Sequence, residues 1–183
     1  MIREQKDFAC MDVLQHPSPA LKQIAQPVDC ATETDLRDLC KTMARIMYEA
    51  PGVGLAAPQI GVLKRVIVYD LEEEKGSVIA LCNPEIVEYG DELEVDDEGC
   101  LSLPGITVAV ERPVRVVCVA QTLSGAKVSV EAEGFHARVL QHEIDHLDGM
   151  LIIDRATPDE RRAALVRYRE ARDAGAKPGQ TSF

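Results

Sequence analysis

"QHEIDHLDG", residues 141 to 149, decides how this chain is read. It closes the run GFHARVLQHEIDHLDG, residues 134 to 149, whose spacing predicts a helix. In a helix, residues four apart share a face, so His142 and His146 can present both imidazoles to one metal ion while Glu143 turns to the same side. Two histidines leave the site incomplete. One class of metalloprotease takes its third ligand from a histidine six residues after the second, but Ile152 stands there and excludes that class. Another class takes a downstream glutamate; Glu160 and Glu170 are available, without a recognisable flanking motif. A better donor lies upstream in EGCLS, residues 98 to 102, where a Cys100 thiolate with two imidazoles leaves a fourth position open for water. Cys100 follows a glycine between strands, where the backbone can approach an ion closely. His16, in a proline-rich arm, and His136, well round the helix from the metal face, read as surface or packing residues.

Working outward, Leu36, Leu39, Cys40, Met43, Ile46 and Met47 recur at helical spacing, with Thr32 or Thr34 as the cap and Gly52 beyond the end. Residues 65–71, 78–82, 85–89 and 106–110 are short and rich in branched side chains, and read as strands. RPVRVVCVAQT and KVSVEAEG flank a turn at Leu123, Ser124 and Gly125, the pattern of a hairpin. The six acids between Asp91 and Glu98 read as a solvated loop, with Glu98 set apart to pair with Arg112 and brace the cysteine. A last helix opens at Thr157, Pro158, Asp159 and Glu160, where cap, proline and acid coincide. The expected fold is α+β, with antiparallel sheets packed around the metal-binding helix, one helix N-terminal to it and one C-terminal. Residues 1–174 form a single domain in this reading, and 175–183 a disordered tail.

The 31 acidic and 20 basic residues give a formal charge of −11, which repels nucleic acid and anionic membranes. Specific DNA binding is not expected. No stretch approaches the ~20 apolar residues of a membrane span, and the opening residues lack the apolar core of a secretory signal. Cys10, Cys30, Cys40, Cys82, Cys100 and Cys118 are widely spaced without a CxxC pair, so the expectation is reduced thiols and a cytoplasmic protein.

Three motifs in this order, GVGLAAPQ at 52–59, EGCLS at 98–102 and QHEIDHLDG at 141–149, resemble the peptide deformylase family, and the resemblance covers about residues 12–153. It implies removal of the formyl group from the formylmethionine of new bacterial polypeptides. By the same match, Cys100, His142 and His146 would hold the metal, and Glu143 would be the acid/base. Gln59 and the Leu101 N–H would hold the formyl oxygen, and Gly54 would lie on the strip that pairs with the substrate backbone. The family commonly uses Fe2+, and a Cys and two His set also suits Zn2+, with Ni2+ or Co2+ as substitutes. Val53, Phe135 and Val139 are candidates for the methionine pocket; Arg138 would add its aliphatic stem while its charge reaches water. The stretch RRAALVRYREAR, 161–172, is basic in an acidic chain, and Arg161, Arg162, Arg169 and Arg172 share a helix face that suits phosphates of the ribosome. Two rival readings stand beside this one: a metallopeptidase of the H-E-x-x-H type, and a catalytically idle metal module docking on ribosomes.

Overall fold

The computed structural model describes residues 11–71 and 76–180. After an irregular arm with a 3-10 turn at Pro19–Lys22 come α1 (Leu36–Glu49), β1 (Gly54–Ala56), a 3-10 turn at Ala57–Ile60, β2 (Val66–Tyr69) and β3 (Ile79–Tyr89). The chain continues through β4 (Leu93–Gly99), β5 (Thr107–Pro113), β6 (Arg115–Gln121) and β7 (Lys127–Glu133) to three helices: α2 (Gly134–Leu147), the short α3 (Ile152–Arg155) and α4 (Pro158–Asp173). Five strands form one antiparallel sheet in the order β1-β2-β3-β6-β7; β4 and β5 form a separate ribbon.

Strand β2, VIVY, is buried on both faces because a helix covers each. Val66 and Val68 point toward Leu39, Met43, Ile46 and Met47 of α1, while Ile67 and Tyr69 join Val139, Leu140, Ile144 and Leu147 of α2. The two-residue alternation of the strand thus distributes its side chains between two cores. A third core lies under the ribbon, where Val108 and Val110 of β5 meet Leu151, Ile152 and Ile153 and the α4 residues Ala164 and Tyr168. Helix α2 stands between sheet and ribbon, as the α+β reading expects. Among the described residues no helix is long and apolar enough to cross a membrane, and the five described cysteines are free; Cys10 lies outside the described residues.

Four local expectations change. The acidic stretch taken for a loop is strand β4, paired residue for residue from Leu93↔Pro113 to Gly99↔Thr107. Backbone hydrogen bonds hold it, so its side chains need not be apolar; of its residues only Glu98 is buried. The stretches 78–82 and 85–89 are one strand, β3, continued through Asn83, whose φ of 50° and side-chain bonds to the Val28 backbone (2.8 Å each) absorb a register shift beside Pro84. Neither Thr32 nor Thr34 caps α1; Asp35 precedes it without a side-chain cap, and the Thr32 hydroxyl donates to Asp29 instead. Residues 175–180, read as a disordered tail, turn back onto the body, where the Gly105 N–H donates to the Gln180 carbonyl at 2.7 Å. Thr157 does cap α4, accepting from the Glu160 N–H at 3.3 Å.

Candidate metal centre

Helix α2 carries the histidines at the spacing that brings their Nε2 atoms to 3.2 Å, and Cys100, one residue beyond β4, brings its Sγ to 3.4 Å from His146. All three donor atoms lie within 4.8 Å of one another. Two imidazole nitrogens and a sulfur converging this closely make a donor set that fits a divalent metal accepting mixed nitrogen and sulfur ligands. The second nitrogen of His142 supports this: its Nδ1 lies 3.0 Å from Glu98 Oε2, a bond that orients the ring and leaves Nε2 free to ligate.

Glu98 is the hub behind the donors. Arg112 grips it with two bonds of 2.6 and 2.9 Å and reaches Asp145 with a third of 2.9 Å; Asp145 is held in turn by Arg155 at 2.5 and 3.0 Å. Burial by itself would raise the Glu98 carboxyl, but the Arg112 and His142 bonds hold it well below the usual carboxylate range. The pairing of Glu98 with Arg112 was legible in advance. Asp145 and Arg155 were not, because nothing in the sequence links an aspartate inside α2 to an arginine in α3. Arg138 departs from expectation: its guanidinium does not reach water but is buried, donating to Glu98 Oε1 and the Val110 carbonyl at 2.9 Å each and to the Glu94 carbonyl at 3.1 Å.

Glu143 sits one residue from the donors, buried, with Oε2 accepting no hydrogen bond from any described residue. Burial pushes its carboxyl up to about 7, opposed by the charge on His142 and helped by Glu98. A proton shuttle working near neutrality needs a value in that range. The carboxylate is so close to β1 that a Cβ on Gly54 would meet Glu143 Oε1 at 2.3 Å, which explains the glycine. Gln59, in the 3-10 turn after β1, accepts the Ala56 N–H on Oε1 at 2.9 Å; this turns its amide N–H toward Ser102 Oγ (3.2 Å) and Cys100 Sγ (3.7 Å). Ser102, fully buried in the same EGCLS motif, is a partner of Gln59 that nothing in the sequence marks, since 43 residues separate the two.

A cavity of about 240 Å³ opens on this cluster, lined by Val53, Gly54, Gln59, Cys100, Leu101, Phe135, Arg138, Val139, His142 and Glu143. The sequence-predicted site residues therefore meet in one place; of these, His146 is one layer deeper, and Phe135 is 60% exposed at the mouth. The basic stretch of α4 lies apart from the cavity. Arg161 pairs with Asp154 at 2.5 Å, Arg162 with Asp159, and Arg172 with Asp173 at 3.6 Å.

The sequence and the fold both recur in known proteins. The family model for polypeptide deformylase matches residues 10–162. The peptide deformylase of Thermodesulfovibrio yellowstonii is 44% identical over 156 residues, covering 84% of this chain and 93% of that one, and that of Cellvibrio japonicus is 38% identical over 170 residues, covering 93% and 100%. The crystal structure of a peptide deformylase from Legionella pneumophila superposes with a TM-score of 0.83 at 38% identity, over 90% of this chain and 96% of that one. A Synechococcus elongatus peptide deformylase in complex with actinonin superposes with a TM-score of 0.81 at 38% identity, over 87% and 86%. With sequence and fold agreeing over nearly the whole length, the chain belongs to the peptide deformylase family.

Proposed function

We propose that this chain removes the formyl group from the formylmethionine of new polypeptides and releases formate, with Cys100, His142 and His146 holding one divalent ion. Fe2+ is the first choice, with Zn2+, Ni2+ or Co2+ able to replace it. The observation that carries the reading is the meeting of one thiol and two imidazoles beside a buried carboxyl oxygen that accepts no hydrogen bond from any described residue. When bound, the metal supplies a Lewis acid that makes water acidic near neutral pH. Glu143 takes the proton of the attacking water and delivers it to the leaving amine. As the formyl carbon becomes tetrahedral its oxygen gains charge, which the Gln59 amide and the Leu101 N–H are there to receive. Gly54 lies in β1, an edge strand whose outer side no described strand pairs, so a peptide backbone can add there. Val53, Phe135, Val139 and the stem of Arg138 surround the methionine side chain.

Formate release from a formyl-Met peptide, measured on protein purified without oxygen, tests the reading. Turnover is expected, and Cys100→Ala is expected to lose both metal and activity. Cleavage inside a peptide would instead establish the metallopeptidase, and a metal-loaded chain that releases nothing would establish an idle module. The finer setting is cytoplasmic, with weak ribosome contact through Arg161, Arg162, Arg169 and Arg172. The clustering of arginines supports this contact, and the carboxylates paired with three of them oppose it. Salt-sensitive co-sedimentation with ribosomes, lost when the four become glutamate, is the expected result.

A further inference from the structure

The chain beyond α4 closes a turn against the cavity. Lys177-Pro178-Gly179-Gln180 has the pattern of a type II β-turn: proline in the second place, Gly179 at φ 83° in the third, and the Gln180 N–H donating to the Lys177 carbonyl at 3.0 Å. Gln180 also locks the turn from within, its Oε1 accepting the Lys177 N–H at 2.7 Å. Both flanks are docked. On one side the Gly105 N–H donates to the Gln180 carbonyl at 2.7 Å; on the other, a Cβ on Gly179 would lie 1.9 Å from the Ala50 carbonyl oxygen, so only glycine permits this approach. Gly105 fits beneath in the same way, since its own Cβ would meet Ala171 at 2.5 Å and Ala176 at 3.0 Å. Gly179 and Gln180 consequently line the same cavity as Cys100, His142 and Glu143.

The position of the turn says what it can touch. Gly54 stands against Glu143, Gly52 against Leu101, and Ala50 against Gly179, so the strip from 54 to 50 leads from the reacting end outward to the turn. A peptide with its formyl end at Glu143 that runs outward through the same cavity meets the turn downstream of the methionine. Building on the deformylase reading above, we infer that the Lys177–Gln180 turn is a specificity element of the substrate groove, a wall that contacts the residues downstream of formylmethionine. It touches neither the formyl group nor the donors, so its effect falls on the choice among substrates.

Two variants test this, a chain ending at Ala176 and Gly179→Val, which keeps the full length while forcing the turn off Ala50. The readout is the ratio of kcat/KM for formyl-Met-Ala-Ser to that for formyl-Met amide. We expect this ratio to fall about fivefold in both variants, and binding of the product peptide Met-Ala-Ser, followed by calorimetry against Met amide, to weaken by a similar factor. If truncation lowers the melting temperature, Gly179→Val decides. An unchanged or increased ratio in variants of an active parent overturns the role of the turn alone, and a parent that releases formate from neither substrate overturns the deformylase reading with it.

Discussion

Helices α2 and α4 have 14 and 16 residues and are both rich in charge, yet they place that charge in opposite settings. α2 buries ten residues, among them Arg138, Gln141, Glu143, Asp145 and His146, whereas α4 buries only Ala164 and Tyr168. Burying an ion costs several kcal/mol, which its partners must offset. In α2 the offset is visible as the chain His142–Glu98–Arg112–Asp145–Arg155, with Arg138 joined to Glu98. On α4 the pairs Arg162–Asp159 and Arg167–Glu160 stay at the surface, where each contributes ~0–1 kcal/mol. The difference teaches that a polar helix sequence does not reveal which side meets water, and that buried polar groups mark where the chemistry is.

The comparison breaks first at Glu143, the buried carboxyl whose Oε2 accepts no hydrogen bond from any described residue. Glu143→Ala should lower turnover roughly 10²- to 10⁴-fold while metal analysis still finds a full equivalent; a variant with unimpaired turnover would remove the proton shuttle. Next comes the network. Arg112→Ala breaks the link between Glu98 and Asp145, leaving Glu98 to Arg138 and His142 and Asp145 to Arg155, and should cost about 3 kcal/mol in urea unfolding, and a loss below about 1 kcal/mol would make α2 no different from α4. Gln59→Ala should reduce kcat about a hundredfold with a smaller change in KM, because its bond strengthens as charge develops; equal turnover in the two proteins would exclude it.

Two smaller effects sharpen the surface side. Asp154 is raised by burial, but Lys22, the Leu151 N–H and Arg161 bind its carboxylate and leave its pKa lowered overall. A depressed carboxyl stabilises the fold fully above its unfolded pKa of about 3.9 and loses that contribution as the pH falls through the folded value. The stability gap between the parent and Asp154→Asn should therefore be open at pH 6 and narrow as the pH drops below about 4. A gap that widens in acid would reverse the sign. Arg162→Ala, at the exposed end of α4, should move stability by no more than about 0.5 kcal/mol, read from the same urea curves.

What the sequence determined by itself was local. The spacing of His142, Glu143 and His146 needs only the helical repeat to put them on one face, and the alternation around Leu123–Gly125 needs only the strand repeat to make a hairpin. EGCLS and GVGLAAPQ identified Cys100, Gln59 and Gly54 through their motifs, before any contact was known. Tertiary structure decided what depends on partners far along the chain. The acidic β4 is a strand because β5 offers it a complete backbone ladder, although aspartate and glutamate disfavour strands. The Arg138 charge is buried because Glu98, 40 residues away, meets it, and Asp145 is tolerated inside because Arg112, 33 residues away, does the same. The turn at 177–180 finds its place only because Ala50 and Gly105 leave a space that glycine alone can enter. Such pairings follow no period in the sequence, since the partners attract strongly only where the fold has shielded both from water, and that attraction has to offset the cost of burying them.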